Sequence, residues 1–501
     1  MEAGIRLLKL RSSGTILLLV ICVFSCLRLY DITADFPPGI TQSGSLYTDE
    51  GVHSTAATSH VVHGDWYTLS AHNMTVNMPM GQIITGFVWK LFGMSISAAR
   101  YTLAVCGIVL IGLAYPLLRR FMPRQSVIYV VAFLSTSPFL FAYSRIALMD
   151  LMMTVFAVLA LVIGSSRWQV RRELVIVVAT VILWVASLVK SSGVFAVPLL
   201  AFVVGLHESN LKKRFLWAVE CAVVFGMLYG VYNLIIWRLY PLDCAYNFEL
   251  LVGCRIPIGY DTYLLNPITI VRFIYRLDAI AVITTLALMI FLAVRSAAFR
   301  LDTAVHISLI WIASFVMLKM ATIYHPPRFY VPLLIPMFVL LVRSVDHLAE
   351  MYPHRITRAL KVVFLAGLIA FNSVTIISSM NNRKHSFIEM IHGIEKAISD
   401  TGVKPSETTL ISVFAHTVSM ETGIPAISTS TGTRSFTQRI EGVESAFYAP
   451  IGDRPHIEKQ LRSMYRFRQI GRWDVFGNYL TGKPIRLYQI QRDSVSTARD
   501  M

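Results

Sequence analysis

The sequence predicts an α-helical polytopic membrane protein of about eleven spanning segments with a small α/β domain at its C-terminal end. Three observations predict it. The 501 residues are 55% hydrophobic and only 15% charged, too apolar a mixture for one water-soluble core. Basic residues recur as short clusters between apolar runs, and at Asn381 the composition turns polar. The net charge of +16 is not gathered on one polar face, which excludes a nucleic-acid-binding reading. Six scattered cysteines form no zinc motif and no disulfide framework.

A hydrocarbon core about 30 Å thick takes about 20 apolar residues in a helix. Nearly uncharged runs of about that length cover residues 14–30, 101–118, 126–143, 151–166, 174–189, 193–206, 215–237, 279–294, 303–321, 329–342 and 362–379. With Arg6, Lys9 and Arg11 in the cytoplasm, the clusters at Arg119/Arg120/Arg124, Arg167/Arg171/Arg172, Lys212/Lys213/Arg214, Arg295/Arg300 and Arg343/Arg355/Arg358/Lys361 all fall on the same inner side. Residues 31–97, 240–277 and 380–501 are then outside, and the first run reads as an uncleaved anchor. The expected location is a bacterial inner or plasma membrane, crossed several times, with the N-terminus cytoplasmic and the C-terminus extracytoplasmic.

Domain boundaries follow: 1–380 for the transmembrane part, with an outer loop at 31–97, and 381–501 for the α/β part. In the latter, strands are expected at 408–414, 424–430, 445–449 and 485–491, with helical patterns near 385–400, 434–442 and 454–465. Cys244 and Cys254 share the outer loop 240–277.

Ionisable residues at helix ends are costly at membrane depth and are site candidates by default. They converge outside: Asp49 and Glu50 in the first outer loop, Arg145 and Asp150 at one helix turn, Lys190 at the end of the next helix, and Lys319, His325 and Arg328 at another turn. The inner side offers mostly basic clusters without carboxylate partners. A helix starting at the Thr48/Asp49 cap would put Asp49, His53 and His60 on one face. A carboxylate beside imidazoles deprotonates a hydroxyl or holds a metal ion. The plainer reading makes Asp49 and Asp150 helix caps, the lysines snorkelling side chains and Tyr330 part of an interfacial belt.

Several segments in order resemble the GT-C glycosyltransferases, above all the protein O-mannosyltransferases and the lipid A aminoarabinose transferases. TDEGVHSTAA (48–57), HGDWYT (63–68), the Pro79–Gly81 segment and KLFG (90–93) look like the first outer loop of that class. AYSRIALMD (142–150) is similar to its stretch ending in an aspartate, and LVKSSGVFAVP (188–198) to its lysine segment with a proline eight residues on. HPPRFYVPLLIP (325–336) resembles its arginine-tyrosine-proline helix start, with Phe329 where tyrosine is usual and the second proline one residue late, at Pro336. Asn77 and Met78 replace a glutamate-lysine pair found in several relatives.

The resemblance implies a GT-C-like fold and an inverting hexosyl or pentosyl transfer from a polyprenyl-phosphate-linked sugar donor to a protein, glycolipid or polysaccharide acceptor at the extracytoplasmic face. It implies Asp49 as base, Glu50 and Asp150 as supporting carboxylates, and Lys190 and Arg328 toward the donor phosphate; by their placement Arg145 and Lys319 join the phosphate-binding candidates, and His53, His325 and Tyr330 are further candidates. Its partners would be the lipid-linked donor and membrane lipids, with no nucleic acid. A divalent metal, if one takes part, would sit at Asp49 and Asp150, but the missing glutamate argues against a bound metal and against aminoarabinose as the sugar. The alternative is a lipid-linked sugar flippase without catalysis; its sites would lie near the midplane, often with repeat symmetry, whereas these candidates cluster at one interface.

Overall fold

The structure, a computed structural model, describes residues 2–35, 46–66, 73–166, 171–206, 208–252, 279–320, 327–429, 435–450, 455–475 and 484–492. His325 and Cys254 lie outside the described residues.

The chain is an integral multi-pass membrane protein, mostly helical. Its helices are α1 (Glu2–Leu27), α2 (Leu46–Val52), α3 (Thr55–His63), α4 (Pro79–Phe92), α5 (Ile96–Leu118), α6 (Arg124–Thr136), α7 (Pro138–Tyr143), α8 (Met149–Gly164), α9 (Arg172–Val189), α10 (Val197–Gly205), α11 (Leu211–Leu239), α12 (Pro241–Val252), α13 (Ala279–Arg295), α14 (Thr303–Met320), α15 (Leu334–Met351) and α16 (Arg355–Asn381). Among the described residues, each of the eleven apolar runs falls largely on helix, two of them beginning in a 3-10 turn. Among the described residues, six helices are long and apolar enough to cross a membrane, and four shorter apolar ones lie beside them. The run at 126–143 is broken in two, because Ser137 caps a new helix that opens on Pro138.

Lipid-facing and core-facing helices differ as a bilayer solvent requires. Along α11, Met227, Val231 and Leu234 are exposed, a surface no water-soluble chain could show. In α15 nearly every residue from Leu334 to His347 is buried, packed on α6 and α14 through contacts such as the stacked rings of Phe133 and Phe338.

After α16 the chain enters an α/β unit: α17 (Ser386–Ser399), β1 (Leu410–Ser412), α18 (Ala415–Thr422), β2 (Ala426–Ser428), α19 (Phe436–Ile440), β3 (Ser445–Ala449), α20 (Pro455–Arg462), β4 (Tyr465–Trp473) and β5 (Ile485–Arg492). The strands form one sheet in the order β2-β1-β3-β5-β4, parallel for the first three and antiparallel for the rest. α17 packs Phe387, Ile391 and Ile394 into a core continuous with that of the bundle, while Ile457 and Leu461 of α20 cover the other face over Ile411 and Ile490. Of the expected strands, those at 408–414 and 424–430 are shortened to Leu410–Ser412 and Ala426–Ser428, that at 445–449 is present as expected, and that at 485–491 runs one residue further, to Arg492. β4 is an addition, since its aromatic alternation is interrupted by a bulge between Gln469 and Gly471.

Candidate active site

Four helix ends bring the charged residues together. An extended Leu148 starts α8, so Asp150 sits in the first helical turn, where exposed N–H groups favour a carboxylate. Lys190 ends α9 in extended conformation (φ −158°, ψ 129°) and leads into a 3-10 turn. That turn lies against α9: a Cβ on Gly193 would come within 2.9 Å of the backbone at Ala186 and Ser187, so only glycine fits. Lys319 lies in the last turn of α14, and Arg328 in the 3-10 turn Pro327–Leu333 that leads into α15.

Lys190 Nζ donates to Asp150 Oδ1 at 2.6 Å. Arg328 Nη1 donates to Asp49 Oδ2, while its Nε lies 3.7 Å from Asp150 Oδ2, too far for a hydrogen bond. That second oxygen of Asp150 is buried without a hydrogen-bond partner among the described residues. Lys190 and Lys319 both place Nζ over the ring of Phe329, at 4.1 and 3.8 Å from its centroid. Five of the sequence candidates, Asp49, Asp150, Lys190, Lys319 and Arg328, therefore form one cluster. Its basic side chains and Asp150 are almost fully buried; the Asp49 side chain is 18% exposed.

The other candidates are placed differently. Glu50 is fully buried and takes a two-pronged pair from Arg100, with Nε and Nη2 each at 2.8 Å; Oε1 also accepts the Ala147 N–H at 2.8 Å. Both of its oxygens accept from scaffold groups. The Arg145 guanidinium donates to the carbonyls of Leu27, Arg28, Tyr30 and Asp31, closing the C-terminal end of α1. The expected helical face of Asp49, His53 and His60 does not form. The helix breaks at His53 and Ser54, its first part begins at Leu46, and His60 stacks on Trp66 at 4.0 Å. His53 is buried, and its carbonyl accepts from Gln82. Tyr330 is buried against Phe315.

The donor set does not fit a divalent ion. Asp49 and Asp150 both face basic side chains, and Asn77, at the position of the relatives' glutamate, donates to Asn247 at 3.0 Å. Among the described residues no three His, Cys, Asp or Glu side chains group to hold a metal ion.

The α/β unit reaches the cluster through α18, which lies across α2. The Gly51 N–H donates to Thr417 Oγ1 at 3.1 Å, and a Cβ on Gly51 would fall 2.1 Å from Thr417 N. Glu421 Oε2 accepts the Ile96 N–H at 2.8 Å, at the start of the helix that carries Arg100. Asp35 takes the N–H and hydroxyl of Ser386, and Asp31 pairs with Arg383 and His385.

The opposite end of the bundle corrects the expectation of basic clusters without acidic partners. Asp302 pairs with Arg343 (Nε at 2.8 Å) and His347 (2.8 Å); Asp346 binds Arg343, Lys361 and the Ser126 hydroxyl. The eighteen-residue α14 separates this network from Lys319 by about 25 Å, close to the thickness of a hydrocarbon core.

Such a bundle, with a charged cluster at one end and an α/β unit across it, can be compared with known proteins. The sequence profile of the family described as dolichyl-phosphate-mannose-protein mannosyltransferase matches residues 76–237, which include Asp150 and Lys190. Among solved structures, ArnT from Cupriavidus metallidurans bound to undecaprenyl phosphate aligns at a TM-score of 0.59 and 15% identity, covering 95% of this chain and 97% of that one. The oligosaccharyltransferase of Archaeoglobus fulgidus in the apo form aligns at 0.53 and 13% identity, over 82% of this chain and 64% of that one. The archaeal oligosaccharyltransferase AglB from Archaeoglobus fulgidus, in complex with an inhibitory peptide and a dolichol-phosphate, aligns at 0.50 and 12% identity, over 86% of this chain and 69% of that one. No curated protein matches the sequence. The chain has the fold of these solved structures, and its residues 76–237 resemble the mannosyltransferase family.

Proposed function

We propose that the protein is a glycosyltransferase that moves a sugar from a polyprenyl-phosphate carrier to an acceptor at the extracytoplasmic face of the membrane, with the N-terminus and the Asp302 network on the cytoplasmic side. One observation carries this reading: two carboxylates and three basic side chains share one buried cluster at a helix-end interface, and only Asp49 of the two acids is partly open. The surplus of positive charge suits a departing phosphate, and the open carboxylate suits a hydroxyl nucleophile. ArnT was solved bound to undecaprenyl phosphate and AglB in complex with a dolichol-phosphate, which supports the same carrier class here.

In this mechanism a donor phosphate engages Lys190, Lys319 and Arg328. By competing for Arg328 it loosens the ion pair on Asp49. The freed carboxylate takes the proton of the acceptor hydroxyl as that oxygen bonds to the anomeric carbon. The bond from that carbon to the phosphate oxygen breaks, and its electron pair leaves with the polyprenyl phosphate, whose charge the basic residues hold. A single displacement inverts the anomeric configuration. Asp150 keeps Lys190 in place, while Glu50 and Arg145 serve the frame around the site.

The test is to give the purified protein a panel of polyprenyl-phosphate sugars and measure which carrier is freed. Release from at least one donor, lost in Asp49→Asn, is expected; no release from any of them would count against the enzyme.

A further inference from the structure

We propose that Phe329 is a positioning residue whose ring holds the ammonium groups of Lys190 and Lys319 in place for a phosphate headgroup without using up their charge or their hydrogen-bond donors. This rests on the donor reading above. The two lysines end different helices, α9 and α14, and each carries a flexible four-carbon stem. Their nitrogens nevertheless converge on one ring, at 4.1 and 3.8 Å from its centroid, with the Arg328 guanidinium carbon at 5.3 Å. Distances below about 6 Å are those at which a ring quadrupole attracts a cation, most strongly where water is excluded, and both lysines are buried.

The chemistry separates this ring from a carboxylate in the same place. A third acid would neutralise the surplus charge and occupy N–H donors. A phenyl ring has no hydrogen-bonding atom, so it attracts the ammonium groups electrostatically and leaves their protons for another acceptor. Asp150 already takes a hydrogen bond from Lys190, which makes the ring the shared support for the two lysines. Phe329 is itself only partly buried.

The experiment uses the full-length protein in lipid nanodiscs, titrated with decaprenyl phosphate and, separately, with inorganic phosphate. The variants are Phe329→Leu, Phe329→Tyr and a chain carrying trifluorinated phenylalanine at position 329, which keeps the ring's shape and weakens its quadrupole. Loss of affinity of about 10-fold is expected for leucine, corresponding to about 1.4 kcal/mol. Tyrosine should stay near wild type and the fluorinated ring should fall between, with the same order for both ligands if the headgroup is what the lysines hold. Equal affinity across wild type, leucine and the fluorinated ring overturns the proposal. So does a dependence on ring chemistry seen with the lipid and not with inorganic phosphate. If wild type binds neither ligand, the donor reading itself fails, and the role of Phe329 with it.

Discussion

Asp49 and Arg328 stand 279 residues apart in sequence and share an ion pair at one end of the bundle. The pair ties the first loop to the start of α15, and it gives the candidate base a partner that a phosphate can take over. Asp49→Asn keeps a hydrogen-bonding side chain but cannot accept the proton. Sugar transfer should fall about 10² to 10⁴-fold with insertion and expression intact, as single-turnover kinetics on the matched donor will measure. Wild-type turnover would return Asp49 to a helix-stabilising role.

Asp150 and Lys190 should show strong coupling. Removing the Asp150 charge leaves Lys190 buried without its carboxylate, which is more costly than losing the pair together. A double-mutant cycle with Asp150→Asn and Lys190→Met, read as thermal stability in detergent, should give a coupling of about 1 to 3 kcal/mol. Additive effects would mean that the 2.6 Å contact contributes little.

Glu50 is expected to fail by a different route. Glu50→Ala strands Arg100 in a dry interior, and breaking such a buried pair costs about 3 to 5 kcal/mol. The expected outcome is loss of folded protein on size-exclusion chromatography. A well-folded Glu50→Ala protein with slow turnover would move Glu50 back among the reacting groups.

Gly51→Ala tests the seat of α2. The new methyl would meet the Thr417 backbone, which must shift and take Asp49 with it. Donor release should fall at least 10-fold, since misplacement of a reacting group by about 1 Å costs on the order of 10²-fold. Truncation after Asn381, which removes Thr417 and Glu421, should likewise lower donor hydrolysis as well as acceptor transfer. A truncated protein that loses acceptor transfer alone would make the α/β unit an acceptor platform only.

At the other end of the bundle, burial raises the Asp302 carboxyl, but the hydrogen bonds from His347 and Arg343, the Arg343 charge and the Val305 N–H outweigh it and bring the group down to about 2. A depressed folded-state value makes the contribution complete above the unfolded value of about 3.9 and lost as the pH falls through about 2. Wild type should lose on the order of 1 kcal/mol across that window, after allowance for solvent screening. Asp302→Asn should flatten that part of the melting-temperature profile; an unchanged profile would show that the network adds nothing.

The bundle was legible because apolar runs and basic clusters are local signals. Asp49, Asp150, Lys190, Lys319 and Arg328 were legible as charges at helix ends. Their partners were not: a lone Arg100 near the start of an apolar helix gives no sign that it faces Glu50, and Arg145 looks like a phosphate ligand until the end of α1 is seen beneath it. The Asp302 network escaped notice because its bonded members are as far as 220 residues apart, from Ser126 to Asp346. The break at His53 and Ser54 comes two residues after Gly51, where α18 approaches closely, a long-range contact that no periodicity records.

The contact between Gly51 and Thr417 joins positions 366 residues apart. During synthesis, the surface that receives α2 does not exist until almost the whole chain has been made and α18 has been delivered to the same side of the bilayer. A partly made chain therefore holds its prospective base on an unsupported loop. Closure of so long a loop comes late in folding, so completion of the candidate site is coupled to completion of the molecule.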